Sequence, residues 1–382
     1  MVHSSPALTI WCQLMLISLS AGVADRHETH RPIRWGIMGS GMIASDYVGA
    51  LQGLPAGEAE VVAVGARSLG SAEAFAREHS VARAYEGYEA VAADPEVDVI
   101  YVATVAQAHV ACARLALAAG KPVLVEKPLA LCASDAKALA EEARHREVFL
   151  MEGMWTRCFP ALRRAQELLR SGAIGEVTAV SADFGWPADP LGEHKRTLDP
   201  VSGGVCLDVA MYPIAHVLLA AGAAEPTNVV AAGTAKAASN GEGRVDWTVG
   251  AALSGFPRAP ALTATILCTL DGSTPEEVVF TGTKGTLRIE RPAHAPSRLR
   301  LSVASCREKT TEEQIDFPLP PAPEGALPFN YPGSQGFLYE AEAVHAALRA
   351  GRLQSDEWTH EESITTQAII DRMRAAVIAG AA

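Results

Sequence analysis

Between Ile33 and Met151 short apolar runs alternate with stretches in which apolar residues recur every three or four positions. Arg34-Trp35-Gly36-Ile37-Met38 is the first run and ends in Gly39-Ser40-Gly41, after which Ile43, Tyr47, Leu51 and Leu54 repeat on one face of a predicted helix. Glu60–Ala66, Val97–Ala103, Pro122–Val125 and Val148–Met151 predict further strands. The helices between them are expected to be capped by Ser71, which leads in a helix burying Phe75, and by Ser134, while the helix over Ala108–Ala119 stops at Gly120. Apolar strands separated by amphipathic helices imply a parallel sheet covered on both faces, a doubly wound α/β domain.

After about Gly153 the pattern changes. Pro160 opens a helix that runs to Gly172. From Pro226 onward Val229–Lys236, Val245–Ser254, Leu262–Leu270, Val278–Thr281, Thr286–Ile289 and Leu299–Ala304 follow one another with Gly, Pro, Asn and Asp clusters between them. They predict one large, mostly antiparallel sheet. Pro318–Pro328 is a Pro-rich connector, and helices over Gln335–Ala350 and Glu361–Ala379 close the chain. The expected organisation is a nucleotide-binding domain over 33–152 and an α+β domain with a large open sheet over 153–382.

Residues 1–24 contain no Asp, Glu, Lys or Arg, and Leu8–Ala21 is nearly continuous apolar sequence. That outline, with small residues at Gly22-Val23-Ala24, fits a secretory signal cleaved after Ala24, although the basic leading region is missing. A cytoplasmic chain with an upstream start or an unstructured extension is the alternative. The run is too short to predict a membrane span.

Composition narrows the classes. Of 382 residues 49% are hydrophobic and 20% charged, enough apolar material for two cores and against disorder. Lys plus Arg number 32 against 44 Asp plus Glu, a net charge of −12, which argues against duplex nucleic acid as a partner. The seven Cys form no C-x-x-C, and the close pair His109 and Cys112 has no second pair to complete a metal site. Most of the Cys sit in runs that read as buried helix or strand.

Gly39-Ser40-Gly41-Met42-Ile43-Ala44 is G-x-G-x-x-A at the first strand-to-helix turn. The first Gly permits the turn, the second lets backbone approach a pyrophosphate, and the helix start at Met42 and Ile43 supplies oriented N–H donors. The second strand ends Gly65-Ala66-Arg67-Ser68. A carboxylate there would select NAD; Arg67 and Ser68 instead suit the 2′-phosphate of NADP, the alternative being a solvated turn arginine. Glu126-Lys127-Pro128 follows the strand ending at Val125, at the carboxyl edge where open α/β sheets bind ligands. Lys127 either holds the nicotinamide ribose or pairs with Glu126. Asp208 and Tyr212, four apart, share a helix face, with His216 a turn on and Pro213 within the stretch. Lys127 beside Tyr212 would favour the phenolate and make it a general base; half-buried core is the plainer reading of Tyr212.

In combination these segments resemble the Gfo/Idh/MocA oxidoreductase family over nearly all of residues 33–382. The resemblance is carried by Trp35-Gly36-Ile37-Met38-Gly39-Ser40-Gly41, by Thr104 with His109, and by Ala119-Gly120-Lys121-Pro122 through Glu126-Lys127-Pro128. Met151–Arg157, Asp183-Phe184-Gly185, Gly203–Pro213 and Gly282-Thr283-Lys284-Gly285 look most like the family's branch of dimeric dihydrodiol dehydrogenases and NADP-dependent D-xylose 1-dehydrogenases. The resemblance implies a Rossmann domain binding NADP, with Gly39, Gly41, Met42, Ile43, Ala66, Arg67, Ser68, Thr104, His109, Glu126 and Lys127 at the cofactor. It implies Tyr212 as proton acceptor, assisted by Lys127 and oriented by Asp208. Trp155, Arg157 and Phe184, with Asp208, would line a pocket for a sugar or cyclic diol, and the outer face of the second sheet would form a homodimer. Two departures stand out: Val105-Ala106-Gln107-Ala108 precedes His109, and Ser71 stands where the branch can carry a second Arg. Two other readings share the fold. One is an aldose–ketose oxidoreductase that never releases NADP; the other is a non-catalytic sugar or nucleotide sensor, which would not need both Lys127 and Tyr212.

Overall fold

A computed structural model describes residues 31–189, 192, 194–306 and 309–380. The expected leader, with its signal-or-extension alternatives, and Cys12 lie outside the described residues. The described residues from Ile33 onward cluster as one compact unit.

The first half alternates strand and helix: β1 Ile33–Met38, α1 Met42–Leu51, β2 Ala59–Ala66, α2 Leu69–His79, β3 Arg83–Glu86, α3 Glu89–Ala93, β4 Val99–Val102, α4 His109–Ala118, β5 Val123–Glu126, α5 Ala133–His145 and β6 Leu150–Gly153. The six strands form one parallel sheet in the order β3-β2-β1-β4-β5-β6. Successive side chains of a strand point to opposite faces, so Trp35 and Ile37 enter one core while Met38, with Ile100, Val102, Val123 and Val125, enters the other. The strand order reverses between β1 and β4, which opens a crevice at their carboxyl ends. The short, polar β3 has no apolar alternation and was not expected from the pattern. Two caps differ from expectation: the Ser68 side chain, not that of Ser71, caps α2 by accepting from the Ser71 N–H at 3.3 Å. At α5 the cap position is Cys132, and Ser134 lies inside the first turn.

The second half contains α6 Pro160–Arg170, β7 Val177–Gly185, α7 Met211–Ala221, β8 Asn228–Ala237, β9 Arg244–Phe256, β10 Ala259–Thr269, β11 Val278–Gly282, β12 Gly285–Ile289, β13 Arg298–Cys306, β14 Lys309–Asp316, α8 Phe337–Arg349 and α9 His360–Gly380. Its eight strands run in the order β14-β13-β12-β11-β7-β10-β9-β8. All neighbours are antiparallel except β7 and β10. The sequence pattern missed β7, whose polar outward residues dilute its apolar content, and β14, which is charged along its length. One face, with Val180, Ala264, Ile266 and Val249, packs into the core that holds α7. The other carries Val230, Ala252 and Thr265 in one register row and Ala232, Gly250 and Leu267 in the next.

The chain end returns to the first sheet. The buried Asp46 carboxylate of α1 accepts from the Asn330 backbone (2.8 Å) and side chain (2.7 Å), the Tyr331 N–H (3.0 Å) and the Ser334 hydroxyl (2.6 Å). Leu150 donates its N–H to Leu353 (3.1 Å), Trp358 donates to Glu152 (2.9 Å), and Asp371 accepts the Ala133 N–H (2.8 Å). Of the described cysteines, Cys112, Cys158, Cys206 and Cys268 are buried and free. No helix among the described residues is long and apolar enough to cross a membrane.

Candidate active site

The glycine turn after β1 is dictated by space. Gly39 sits at φ +122°, and a Cβ there would lie 2.4 Å from the Ala103 carbonyl oxygen. Beyond it Gly41 caps α1 with no side-chain hydrogen bond, and a Cβ at Gly41 would meet nothing within 4 Å. An open cradle at a ten-residue helix start, with the N–H groups of the first turn uncovered by any cap, fits a pyrophosphate. Met42 is exposed and Ile43 half-buried beside it. Ala66 is buried at the end of β2 and Arg67 is exposed just past it, with no carboxylate bonded to it among the described residues. The Ser68 hydroxyl is already engaged with Ser71, so the cationic contact for a 2′-phosphate rests on Arg67. These residues fit NADP.

At the other side of the crevice Thr104 and Val105 leave β4, and Gln107 donates to Asp199 at 2.8 Å. His109 differs from expectation: it is buried, its Nδ1 against the Pro128 carbonyl (2.8 Å) and its Nε2 against that of Thr104 (3.1 Å). Burial holds its pKa low. With one N–H, the neutral ring donates to one of these two carbonyls and packs against the other.

Glu126 turns inward, accepting from the Tyr101 hydroxyl at 2.5 Å, while Lys127 reaches the second half of the chain. Its Nζ donates to the Asp208 carbonyl (2.9 Å) and lies 5.3 Å from the centre of the Tyr212 ring. Burial alone would lower the Lys127 pKa, but Tyr212, Asp208 and Glu126 outweigh it, and the ammonium form is retained. The alternative of a simple Glu126–Lys127 side-chain pair is not what the two groups do.

Asp208 and Tyr212 are placed by an irregular helix start. Gly204 (φ +98°) packs where a Cβ would meet Asp246 Oδ1 at 2.5 Å, and buried Asp246 accepts the Cys206 N–H at 2.7 Å. Cys206–Ala210 forms a π turn, and α7 follows. Pro213 supplies no N–H to the Val209 carbonyl four residues back, which accounts for the widened turn. Asp208 accepts from Trp186 Nε1 (3.1 Å) and pairs with Arg196. Burial would raise the Asp208 pKa, but Arg196 and Lys127 reverse this and keep the carboxylate ionised.

Tyr212 is 7% exposed, and its hydroxyl accepts from Trp155 Nε1 at 3.2 Å. Its titration is opposite to the expected one: burial raises the phenol pKa by more than Lys127 lowers it. His216 is buried against the Tyr212 carbonyl (2.6 Å), and burial brings it down to about 4, so it stays neutral. Phe184 stands 5.5 Å from the Tyr212 ring and stacks on His294 at 5.0 Å. Asp183, Phe184, Tyr212, Pro213, Glu276 and His294 are among the residues around a narrow gap beside the Tyr212 ring. Arg157 is not: it is buried, pairs with Glu362 at 3.0 Å, donates to the Ala215 carbonyl and lies over Trp358. The site thus includes Trp186, Arg196, Glu276 and His294, for which the sequence carried no motif. Among the described residues no cluster of three His, Cys, Asp or Glu could hold a metal ion.

The model of the oxidoreductase family GFO_IDH_MocA, with its NAD-binding Rossmann fold, matches residues 33–154, and that family's C-terminal domain matches 162–288. The chain belongs to the Gfo/Idh/MocA family. Family relatives include the trans-1,2-dihydrobenzene-1,2-diol dehydrogenase of Danio rerio, 37% identical over 342 residues, covering 90% of this chain and 96% of the relative. The Homo sapiens enzyme of the same name is 34% identical over 346 residues, 90% of this chain and 97% of its own. Among solved family folds, a 3-ketoreductase from Actinomadura kijaniata in complex with NADP and TDP-benzene superposes with a TM-score of 0.73. It is 26% identical and covers 91% of this chain and 98% of its own.

Proposed function

We propose that this chain is an NADP-dependent dehydrogenase that oxidises a CH–OH carbon of a sugar or cyclic diol, with D-xylose and trans-1,2-dihydrobenzene-1,2-diol as the substrate types to test. The observation that carries the reading is Lys127: it leaves the cofactor edge of the first sheet, binds the Asp208 carbonyl and lies over the ring of Tyr212. NADP, when bound, supplies the hydride acceptor. Gly39 and Gly41, with the amides of Met42 and Ile43, hold its pyrophosphate, and Arg67 its 2′-phosphate. Tyr212 takes the hydroxyl proton as the carbinol becomes a carbonyl, and returns it in the reverse direction. Its protonated resting state, with the oxygen held by Trp155, suits donation; oxidation requires the proton to leave a buried phenol first. Lys127 stays cationic over the ring and stabilises the negative charge that develops there. Asp208, fixed by Trp186 and Arg196, holds the turn that presents Tyr212.

The trans-1,2-dihydrobenzene-1,2-diol dehydrogenase relatives and the NADP complex of the structural neighbour support the same reading. A homodimer is part of the proposal. A second copy would cover the open sheet face, where Val230 is 69% and Leu267 44% exposed among Ala, Gly and Thr neighbours. The test is the initial rate of NADP and, separately, NAD reduction with D-xylose and the dihydrodiol. Turnover with NADP, cut about 10²–10⁴-fold in Tyr212→Phe with NADP affinity unchanged, is expected. No turnover, or near-wild-type turnover by the variant, overturns the assignment.

A further inference from the structure

Beside Tyr212 stands a second polar device that the proton-transfer scheme leaves unused. His294 stands 5.7 Å from Tyr212, 5.9 Å from Trp155 and 5.0 Å from Phe184, measured between ring centres. Its Nδ1 is bonded to the Glu276 carboxylate, which is itself buried. That bond places the proton on Nδ1 and leaves Nε2, on the opposite edge of the ring, as a hydrogen-bond acceptor. Among the described residues no group is bonded to His294 Nε2.

The pair is built from several directions. Glu276 adopts φ +56°, a left-handed conformation that is costly for a side chain with a Cβ. Asp183 fixes that turn by accepting the Glu276 N–H at 2.6 Å, and Arg291 stands 3.9 Å from the second carboxylate oxygen. From the other side Thr156 donates its hydroxyl to the His294 carbonyl at 2.5 Å. A strained residue held by this many bonds, with its carboxylate orienting a ring beside Tyr212, points to a site-specific role.

We propose that His294, oriented by Glu276, binds the hydroxyl adjacent to the reacting carbinol, so that Tyr212 and His294 together read a vicinal diol. Adjacent hydroxyls on one ring present two O–H groups close together. Tyr212 Oη receives the first proton, and Nε2 accepts a hydrogen bond from the second hydroxyl, with no bond made or broken there. Phe184 and Trp155 flank the apolar side of the same ring. A substrate lacking the second hydroxyl would leave Nε2 desolvated and unpaired, and sites built for a hydroxyl discriminate against its absence for that reason. His294 is thus a specificity-determining residue. The inference deepens the dehydrogenase reading and rests on it for the identity of the first hydroxyl.

The experiment compares trans-cyclohexane-1,2-diol with cyclohexanol, as ligands of the NADP-loaded full-length protein by intrinsic tryptophan fluorescence and as substrates by NADP reduction. Wild type is expected to prefer the diol by about tenfold or more in binding. His294→Phe, which keeps a ring against Phe184, should abolish that preference by weakening the diol by about tenfold more than cyclohexanol, and Glu276→Gln should reduce the diol-to-cyclohexanol ratio in the same direction. A wild type with no preference for the diol, or a His294→Phe variant that keeps it or weakens both ligands equally, overturns the inference. Diol binding with the expected variant pattern but no NADP reduction would instead overturn the dehydrogenase reading, so the two failures are separable.

Discussion

Replacing Arg67 by Ala tests how the chain chooses its cofactor. Arg67 is exposed at the end of β2, no acidic group is bonded to it among the described residues, and the Ser68 hydroxyl beside it is committed to capping α2. The variant therefore removes the cation proposed for the 2′-phosphate and disturbs little else. A hydrogen bond to a charged group contributes about 1.5–3 kcal/mol, and each ~1.4 kcal/mol is tenfold in affinity. Solvent screening of an exposed guanidinium places the effect toward the lower end, about tenfold to thirtyfold in the NADP dissociation constant at physiological salt. NAD carries no 2′-phosphate, so its affinity should change by less than about twofold on the same argument. Titrating the fluorescence of NADPH and NADH against wild type and variant measures both constants, and the NADP loss should shrink further as salt is raised. Equal losses for the two cofactors, or none for NADP, would refute the assignment of Arg67 to the phosphate.

Three other outcomes follow from the same geometry. Arg157→Met leaves buried Glu362 without its cation, so stability should fall by about 3–5 kcal/mol in denaturant unfolding while KM is retained; a raised KM with unchanged stability would return Arg157 to the pocket. Because burial raises the Tyr212 pKa despite Lys127, the phenolate fraction grows only toward alkaline pH, so NADP-linked oxidation should climb through the neutral range and beyond; a plateau already reached at neutral pH would refute this. Gly39→Ala forces a Cβ to 2.4 Å from the Ala103 carbonyl at a positive φ, and should abolish NADP binding; wild-type affinity would remove the glycine turn from the site.

The fold was legible where burial and periodicity coincide. Strands such as β4 and β5 are buried on both faces and show as continuous apolar runs, whereas β3 and β14 are polar edge strands and gave no signal. The residues around Tyr212 and Lys127 could be singled out because strand ends and helix spacing place them. What periodicity could not supply was direction. Arg157 follows a motif residue yet turns to Glu362, and His109 turns down to the Pro128 carbonyl. The sign of the Tyr212 shift depends on depth of burial, which a sequence spacing does not encode. His294 and Glu276 meet only because the turn after β10 and the loop after β12 converge on Phe184, contacts set by sheet register.

The Asp46 knot has a consequence for synthesis. Helix α1, whose first turn is the proposed phosphate cradle, is tied to Asn330, Tyr331 and Ser334, which leave the ribosome long after it. Leu150 and Glu152 at the sheet's far edge likewise wait for Leu353 and Trp358. The nucleotide half is therefore expected to lack these bonds until the returning segment has been made, although N-terminal domains commonly fold first. A chain ending at residue 316 would hold every strand of both sheets, yet its expected defect is in NADP affinity; a dissociation constant equal to that of the full chain would show that the returning segment is dispensable. Nucleotide capture would then be a late event, complete only once the segment that returns to α1 has been made.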